Sequence, residues 1–563
     1  MQWQTIQTWG RLTGWVFIFL WVDSPFISAQ ENLDIAGLIS RDEEDTIHED
    51  ELILLDDILS RTSGVNKEAL QDILTLTFLN EEDYTLIKAS LIHTDFRGLI
   101  KLNVISPLLR FILNTLQKNK GIPHKILLQQ HTSRTDGNRY RWRARMNTPT
   151  QELGTLSVRK KGTRNILGQP SFYIVRKGKN GQWIIGDHQM AFGFGLNAGK
   201  PFAPRKGWST VNKGAALYSN GLNSYRSSTG LNRTRGVALE QTTPIGAFYF
   251  SHGQGGTKAS TKKGLSRGAW QLEKNSFLGG AVVTQKSQSI FASYEWEKIN
   301  VGGEIAIGRS NPSMVLGMNY RIRPFKYLLQ IRNIYAHSLG VMGNPMVEWA
   351  GAEVSERGLF QGAIFRVDKI KIMIYSDTFY HHTRKINGYE FGLRSETKLN
   401  RNRIVFQYKT EKKDSQYEIV YAPLISSTYS ERTSFKLEHR FSTKFWRTDV
   451  KYQFVSAGEI ETNRSHGLDL RVNLFRQSYK VELDWMVANV GSFNSRLYFW
   501  DVNLPGEMLT RLMARSSHSQ GVKVIYPLSN GSKLGFKTSM TYASLSFNSS
   551  VEISGGIFIQ VTL

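Results

Sequence analysis

From about residue 130 to the C-terminus, apolar and polar residues alternate one by one in segment after segment. Ile290, Ala292, Tyr294 and Trp296 interleave with Ser293, Glu295 and Glu297, and Ile404, Phe406 and Tyr408 with Arg403, Gln407 and Lys409. Leu468, Leu470, Val472 and Leu474 interleave with Asp469, Arg471 and Asn473. After a turn, Tyr479, Val481, Leu483 and Trp485 do the same with Lys480, Glu482 and Asp484. A two-residue period gives a strand one apolar and one polar face, and its repetition over most of a chain is the signature of a transmembrane β-barrel. In hydrocarbon every strand N–H and C=O needs a partner, so the sheet must close on itself.

Composition agrees. The mean hydropathy is -0.32, and no apolar run after the first two dozen residues is long enough to cross a bilayer as a helix. The absence of cysteine removes disulfides, thiolate metal sites and thiol nucleophiles and suits export to an oxidising compartment. Aromatic residues at 12%, with 49 Gly and only 14 Pro, suit strands and tight turns. At about 16 to 19 residues per strand and turn, the span predicts roughly 22 to 26 antiparallel strands, in even number. The last strand is expected at Gly556 to Leu563, closing against a first strand near Arg139. Trp142, Trp183, Trp296, Trp349, Trp446, Trp485 and Trp500 are candidates for interfacial girdles.

The N-terminus predicts export. Arg11 precedes the apolar run from Trp15 to Val22, which Asp23, Ser24 and Pro25 end, and Ala29 offers a small residue for cleavage. Residues 1–29 therefore read as a signal peptide rather than a membrane anchor, which needs about 17–25 apolar residues.

Charge then divides the mature chain. Residues 30–83 hold sixteen acidic residues against three basic ones, whereas residues 84–563 hold 67 Lys and Arg against 30 Asp and Glu. The acidic part has helical spacing. Leu70, Ile73, Leu74 and Phe78 form one stripe after Asn66, Leu86, Ile87 and Leu91 another after the cap Asn80, and Leu109, Ile112, Leu113 and Leu116 a third after Ser106-Pro107. Short turns predict antiparallel helical hairpins over residues 30–120.

Two stretches carry a resemblance. Val65 to Leu74, Phe78 to Asp83 and Phe96-Arg97-Gly98-Leu99 resemble a helix-hairpin-helix unit. Gly186-Asp187-His188-Gln189-Met190-Ala191-Phe192-Gly193-Phe194-Gly195-Leu196, with the return Gly221 to Leu239, resembles a segment of the outer-membrane proteins of Gram-negative bacteria that join such a unit to a β-barrel. The motif positions are Gly186, Asp187, Phe192, Gly193, Gly195, Tyr225, Arg226, Arg235 and Gly236. The resemblance implies an outer-membrane location with the helical domain in the periplasm. That hairpin, Leu76-Thr77-Phe78-Leu79-Asn80, lacks the glycine that lets backbone approach a phosphate, and an acidic surface repels a polyanion. A docking module is thus the first expectation there, with DNA binding as its alternative.

Within the barrel (residues 130–563), two features bear on function. Arg139, Arg141, Arg143 and Arg145 alternate with Tyr140, Trp142, Ala144 and Met146, which places four guanidinium groups on one strand face. Lipid cannot receive that face, so it is expected to face the lumen or lie at its periplasmic mouth. The stretch from Leu196 to Asn232 is too long for a hairpin turn and too rich in Gly, Ser and Asn for another strand pair. Bearing Lys200, Arg205, Lys206, Lys213 and Arg226, it reads either as a solvated loop or as an inward plug that attracts anions.

No cofactor or metal is implied. Gly193-Phe194-Gly195 lacks the strand and helix of a dinucleotide loop, and His381-His382 are adjacent imidazoles that point to opposite strand faces. Three functions fit the architecture. A pore, transport or secretion barrel with a basic lumen would handle anionic solutes or polymers, and an outer-membrane anchor would dock a periplasmic or membrane partner through its helices. A barrel phospholipase or protease comes third, so the chain is not expected to be an enzyme. Outer-membrane lipid and lipopolysaccharide are the expected surroundings.

Overall fold

The computed structural model describes most of residues 125–562. Outside the description lie residues 1–124 except Leu70, Ile73, Leu86, Ile87, Leu109 and Leu113, the segments 134–136, 160–169, 200–206, 214–217, 226–232, 257–263, 340–354, 421–425, 459–462, 501–509, 529–531 and 543–550, and scattered single residues. The expected signal peptide is among these. Of the acidic helical domain only those six positions are described, each helical.

Five strands begin the sheet: β1 (Lys125–Ser133), β2 (Gly137–Asn147), β3 (Gln151–Arg159), β4 (Ser171–Gly178) and β5 (Gly181–Gly193). A short helix, α1 (Trp208–Lys213), and β6 (Tyr218–Ser224) follow. Then come β7 (Arg233–Thr243), β8 (Gly246–Gly256), β9 (Gly264–Lys274), β10 (Phe277–Thr284), β11 (Gln288–Trp296), β12 (Ile299–Ile307), β13 (Ser313–Ile322) and β14 (Phe325–Tyr335). The chain continues through β15 (Ser355–Val367), β16 (Ile370–His381), β17 (Ile386–Leu399), β18 (Asn402–Val420), β19 (Ser426–Ser442), β20 (Trp446–Ala457), β21 (Arg464–Phe475) and β22 (Lys480–Val490). A small hairpin, β23 (Leu497–Trp500) and β24 (Thr510–Met513), precedes β25 (Ser517–Pro527), β26 (Lys533–Tyr542) and β27 (Val551–Thr562).

One sheet of 25 strands contains all of these except the β23–β24 pair. Each wall strand pairs antiparallel with the next, β5 passes directly to β7 and β22 to β25, and β27 pairs with β1 from Lys125↔Thr562 to Ser133↔Ser554. The sheet is therefore a closed barrel. Among the described residues β6 pairs with β5 alone, which leaves 24 strands in the wall, an even number within the predicted range. The closing strand was misplaced by the sequence reading. It is Lys125–Ser133, before Arg139, where Ile126-Leu127-Leu128 is a continuous apolar run without the period-two signal.

The two rims differ. At the rim shared by the start of β1 and the end of β27, seven links contain two residues: 179–180, 244–245, 275–276, 297–298, 323–324, 368–369 and 400–401. Asn275, Asp368 and Asn400 hold φ near +50° in three of them, the left-handed conformation of tight primed turns that Asn and Asp tolerate best. The opposite rim carries the long links, including 194–232, 336–354 and 491–516.

The wall is inverted relative to a soluble protein. Large apolar side chains face outward and exposed, among them Ile290 at 71% and Trp296 at 67%, while the inward positions beside them hold buried Phe291, Glu304 and Ser289. Near the short-turn rim, Trp183, Phe277, Tyr294, Trp296, Phe365 and Trp446 are exposed. There Tyr294 meets Trp296 edge-on at 5.6 Å and Phe325 lies 5.0 Å from Phe365. This is an aromatic girdle of the kind that sits at a membrane interface. Trp349 lies outside the described residues.

Candidate functional site

The lumen is the candidate site, and two segments from the long-link rim fold into it. The first leaves β5 at Gly193. The φ of +59° there suits glycine, and an added Cβ would come within 2.6 Å of a Glu304 carboxylate oxygen on β12. That carboxylate accepts the N–H of Phe194 at 2.6 Å and of Leu196 at 3.2 Å, and Phe192 N–H closes the turn on the Ala198 carbonyl. Further on, α1 places Trp208 edge-on against Tyr375 of β16, ring centres 4.7 Å apart, and Val211 against Gly362 of β15. Phe194, Leu196, Trp208 and Val211 thereby join Val315, Leu328, Phe360, Ile364, Met373 and Tyr375 in a buried apolar cluster. The described part of the segment thus packs inside the barrel. It contains one further strand and, among its described residues, no strand pair of its own. β6 pairs with the part of β5 nearest the insertion (Gln189↔Asn223, Met190↔Leu222), while β7 extends only as far as His188↔Thr234.

The second segment is β23–β24. Leu497, Phe499 and Met513 pack with Val455, Met486 and Ala488 of the wall. Gln453 Nε2 donates to the Tyr498 carbonyl at 2.7 Å, the Ser465 and Ser495 hydroxyls meet at 2.7 Å, and Lys451 Nζ stands 5.9 Å from the Phe499 ring centre. No periodicity announced this hairpin, because each strand is only four residues long.

Between and below these segments the wall presents a ladder of paired charges. Arg332 on β14 donates through Nε to Glu356 on β15 at 2.7 Å and through both terminal nitrogens to Asp377 on β16 at 2.8 and 3.0 Å, all three fully buried. Arg403 binds Glu396 at 2.9 Å, Lys409 Glu390 at 3.0 Å, Lys413 Glu411 at 2.7 Å and Arg440 Asp449 at 2.6 Å. Arg471 faces Asp484 and Lys523 faces Glu482 at 2.8 Å. Charges out of water persist when paired and hydrogen-bonded, and neighbouring strands 4.7–4.9 Å apart bring such partners together. This sector is mixed in sign, whereas the sequence reading expected a basic surface.

The sequence-predicted residues fall as follows. Arg145 is buried on the inward face and pairs with Glu152 at 3.0 Å, while Met146 points outward, 47% exposed. Arg143 is half-buried, and Arg139 and Arg141 lie on β2 opposite His131 and Gln129, their side chains outside the described residues. Lys200, Arg205, Lys206 and Arg226 lie outside the described residues, as does the side chain of Lys213 at the end of α1. The motif positions converge where the chain leaves the wall and returns. Asp187, fully buried, accepts from Arg235 Nε at 2.7 Å and Nη2 at 2.8 Å, from Arg233 at 3.4 Å and from Phe172 N–H at 3.1 Å. Its carbonyl accepts the Tyr225 N–H at 2.8 Å, which ties the returning chain to β5. Gly186 and Gly236 lie where a Cβ would strike a neighbouring strand's carbonyl at 2.2 and 2.1 Å. Phe192 packs between Tyr249 and Phe291. Gly195 holds a φ of +81° in the turn beyond Gly193. Together these residues build the branch point from which the first segment departs. Glu304, Arg332 and Asp377 were not singled out in the sequence, since one acid or base on the polar face of a strand looks like any other.

No protein-family model matches the chain, and no curated protein sequence matches it. Solved structures do overlap with it. The P pilus usher (PapC) translocation pore aligns at 9% identity with a TM-score of 0.40, covering 78% of this chain and 99% of that one. Pseudomonas aeruginosa OccK5 (OpdH) aligns at 7% identity with a TM-score of 0.30, covering 78% and 97%. Pseudomonas aeruginosa OccK3 (OpdO) aligns at 8% with a TM-score of 0.31, covering 78% and 95%. The barrel assignment rests on the strand connectivity of the chain itself.

Proposed function

We propose that the protein is an outer-membrane channel whose lumen is narrowed by two segments folded inward from its outer rim. The observation that carries this reading is a closed wall of 24 strands with exposed apolar side chains outside and buried, paired charges inside. Only lipid satisfies such an outer face at this scale, because an apolar surface running around an entire barrel is unstable in water. The rim with two-residue turns is assigned to the periplasm and the rim with long links to the exterior, following the asymmetry of outer-membrane barrels. The helical domain of residues 30–120 then lies in the periplasm, where it docks a partner. A formal net charge of +24 favours anionic solutes over cations at the mouths.

Three measurements test the reading together. The protein fractionates with outer membranes and shows heat-modifiable migration, whereas recovery from the soluble periplasm overturns it. A tag in 543–550 is labelled on intact cells and a tag near Asp42 only after permeabilisation. In planar bilayers, removal of residues 194–232 raises conductance; a barrel that stays silent without both inward segments is an anchor rather than a channel.

A further inference from the structure

We propose that the acidic stretch of residues 42–57 docks on a basic sector of the barrel's own short-turn mouth, formed by the inward faces of β13 to β16. The stretch lies outside the described residues and holds nine carboxylates in sixteen positions, with no Lys or Arg. On the receiving face four basic residues stand side by side, Arg321 on β13, Lys326 on β14, Arg366 on β15 and Lys371 on β16. Arg321 lies directly opposite Lys326, and Arg366 directly opposite Lys371. Strand alternation turns all four inward, in step with the buried Asn319, Leu328, Ile364 and Met373; Lys326 is buried and the other three are half-buried. Like charges directly opposite one another destabilise a strand pair, so negative charge brought to face this row stabilises it.

The neighbourhood keeps the sector positive. Glu396 stands opposite Lys371, but Arg403 and Lys398 hold it at 2.9 and 3.4 Å. The turns beside the row add exposed Lys298 and Lys369, next to Glu297 and Asp368. Further round the same mouth β7, β9 and β11 turn Glu240, Glu273 and Glu295 inward, so an acidic chain is repelled there and drawn to β13–β16. Connectivity brings the stretch to this end of the barrel. β1 starts at Lys125, opposite Thr562 on the short-turn rim, so the chain before it emerges there whichever way the barrel faces. Residues 58–124 tether the stretch to that rim and make docking intramolecular, which requires no tight intrinsic affinity. The barrel is thus itself a partner of this part of the acidic domain. Docking needs only the strand register and holds whether or not the barrel conducts.

The test uses the full chain purified in detergent and a zero-length carbodiimide, which joins carboxylates to lysine amines in contact. At low salt, mass spectrometry is expected to find links within one chain from residues 42–57 to Lys326, Lys369 or Lys371. They disappear in about 1 M salt, where the Debye length falls to about 3 Å. A glutamate-specific protease, its rate normalised to a free peptide of the same sequence, is expected to cut the stretch severalfold more slowly in low salt than in high. Arg366→Gln combined with Lys371→Gln abolishes that protection, whereas Lys179→Gln combined with Arg476→Gln, at the same rim outside the sector, leaves it unchanged. Links that join two chains, links only to other lysines, no links at all, or wild-type cleavage at equal rates in both salts overturn the proposal. Should the Arg366 and Lys371 variant fail to assemble, the wild-type links decide. Neither readout involves conductance, so a silent barrel leaves docking intact and a failure of docking leaves the channel reading intact.

Discussion

The Glu304 carboxylate fills the space in which a side chain at residue 193 would stand, and it binds the two amides, Phe194 and Leu196, that follow the glycine. A wall strand and an inward segment are thus latched through one carboxylate and one missing Cβ. Gly193→Val must displace the carboxylate or the backbone, and leaving buried amides without acceptors costs about 1–3 kcal/mol each. The variant is expected to assemble normally and to show larger and more frequent openings than wild type in planar bilayers. Unaltered single-channel traces count against the latch.

The complete absence of cysteine permits a clean test of the same segment. A Cβ added to Gly362 comes within 2.8 Å of Val211 Cγ2, so the pair Val211→Cys and Gly362→Cys lies within bridging reach. Oxidation is expected to pin α1 to β15 and hold conductance at its lowest level, and dithiothreitol to restore wild-type gating. Failure of the pair to cross-link in assembled protein shows that α1 stands elsewhere in the membrane.

The Arg332, Glu356 and Asp377 triad carries a stability prediction. Arg332→Met strands two buried carboxylates and is expected to cost about 3–5 kcal/mol. Adding Glu356→Gln and Asp377→Asn removes the stranded charges and should return most of the loss. The heat-modification temperature reports both; a single variant as stable as wild type means that water reaches the triad.

Leu239 sits near the middle of β7, outward and 47% exposed. Leu239→Arg is expected to cost about 2–4 kcal/mol against lipid at mid-depth and to lower the amount of assembled barrel in membranes, while Leu239→Phe assembles as wild type. Equal yields of the two place that face in water.

What the sequence determined by itself was the wall. Alternation such as Leu468-Asp469-Leu470-Arg471 has only one stable reading, because a two-residue period sorts side chains to opposite faces whatever the neighbouring strand is, and the chain length bounds how many strands follow. Even the turns were local, as Asn275, Asp368 and Asn400 show with their left-handed conformations. The first strand escaped because Ile126-Leu127-Leu128 does not alternate, and only its pairing with β27 identifies it. The contents of the lumen belonged wholly to tertiary structure. Glu304 meets Phe194 across 110 positions, Arg332 meets Asp377 across 45, and Arg267 meets Thr234 across 33. Such partners are chosen by barrel closure and register, and a one-residue slip in register would send each of these side chains to the opposite face.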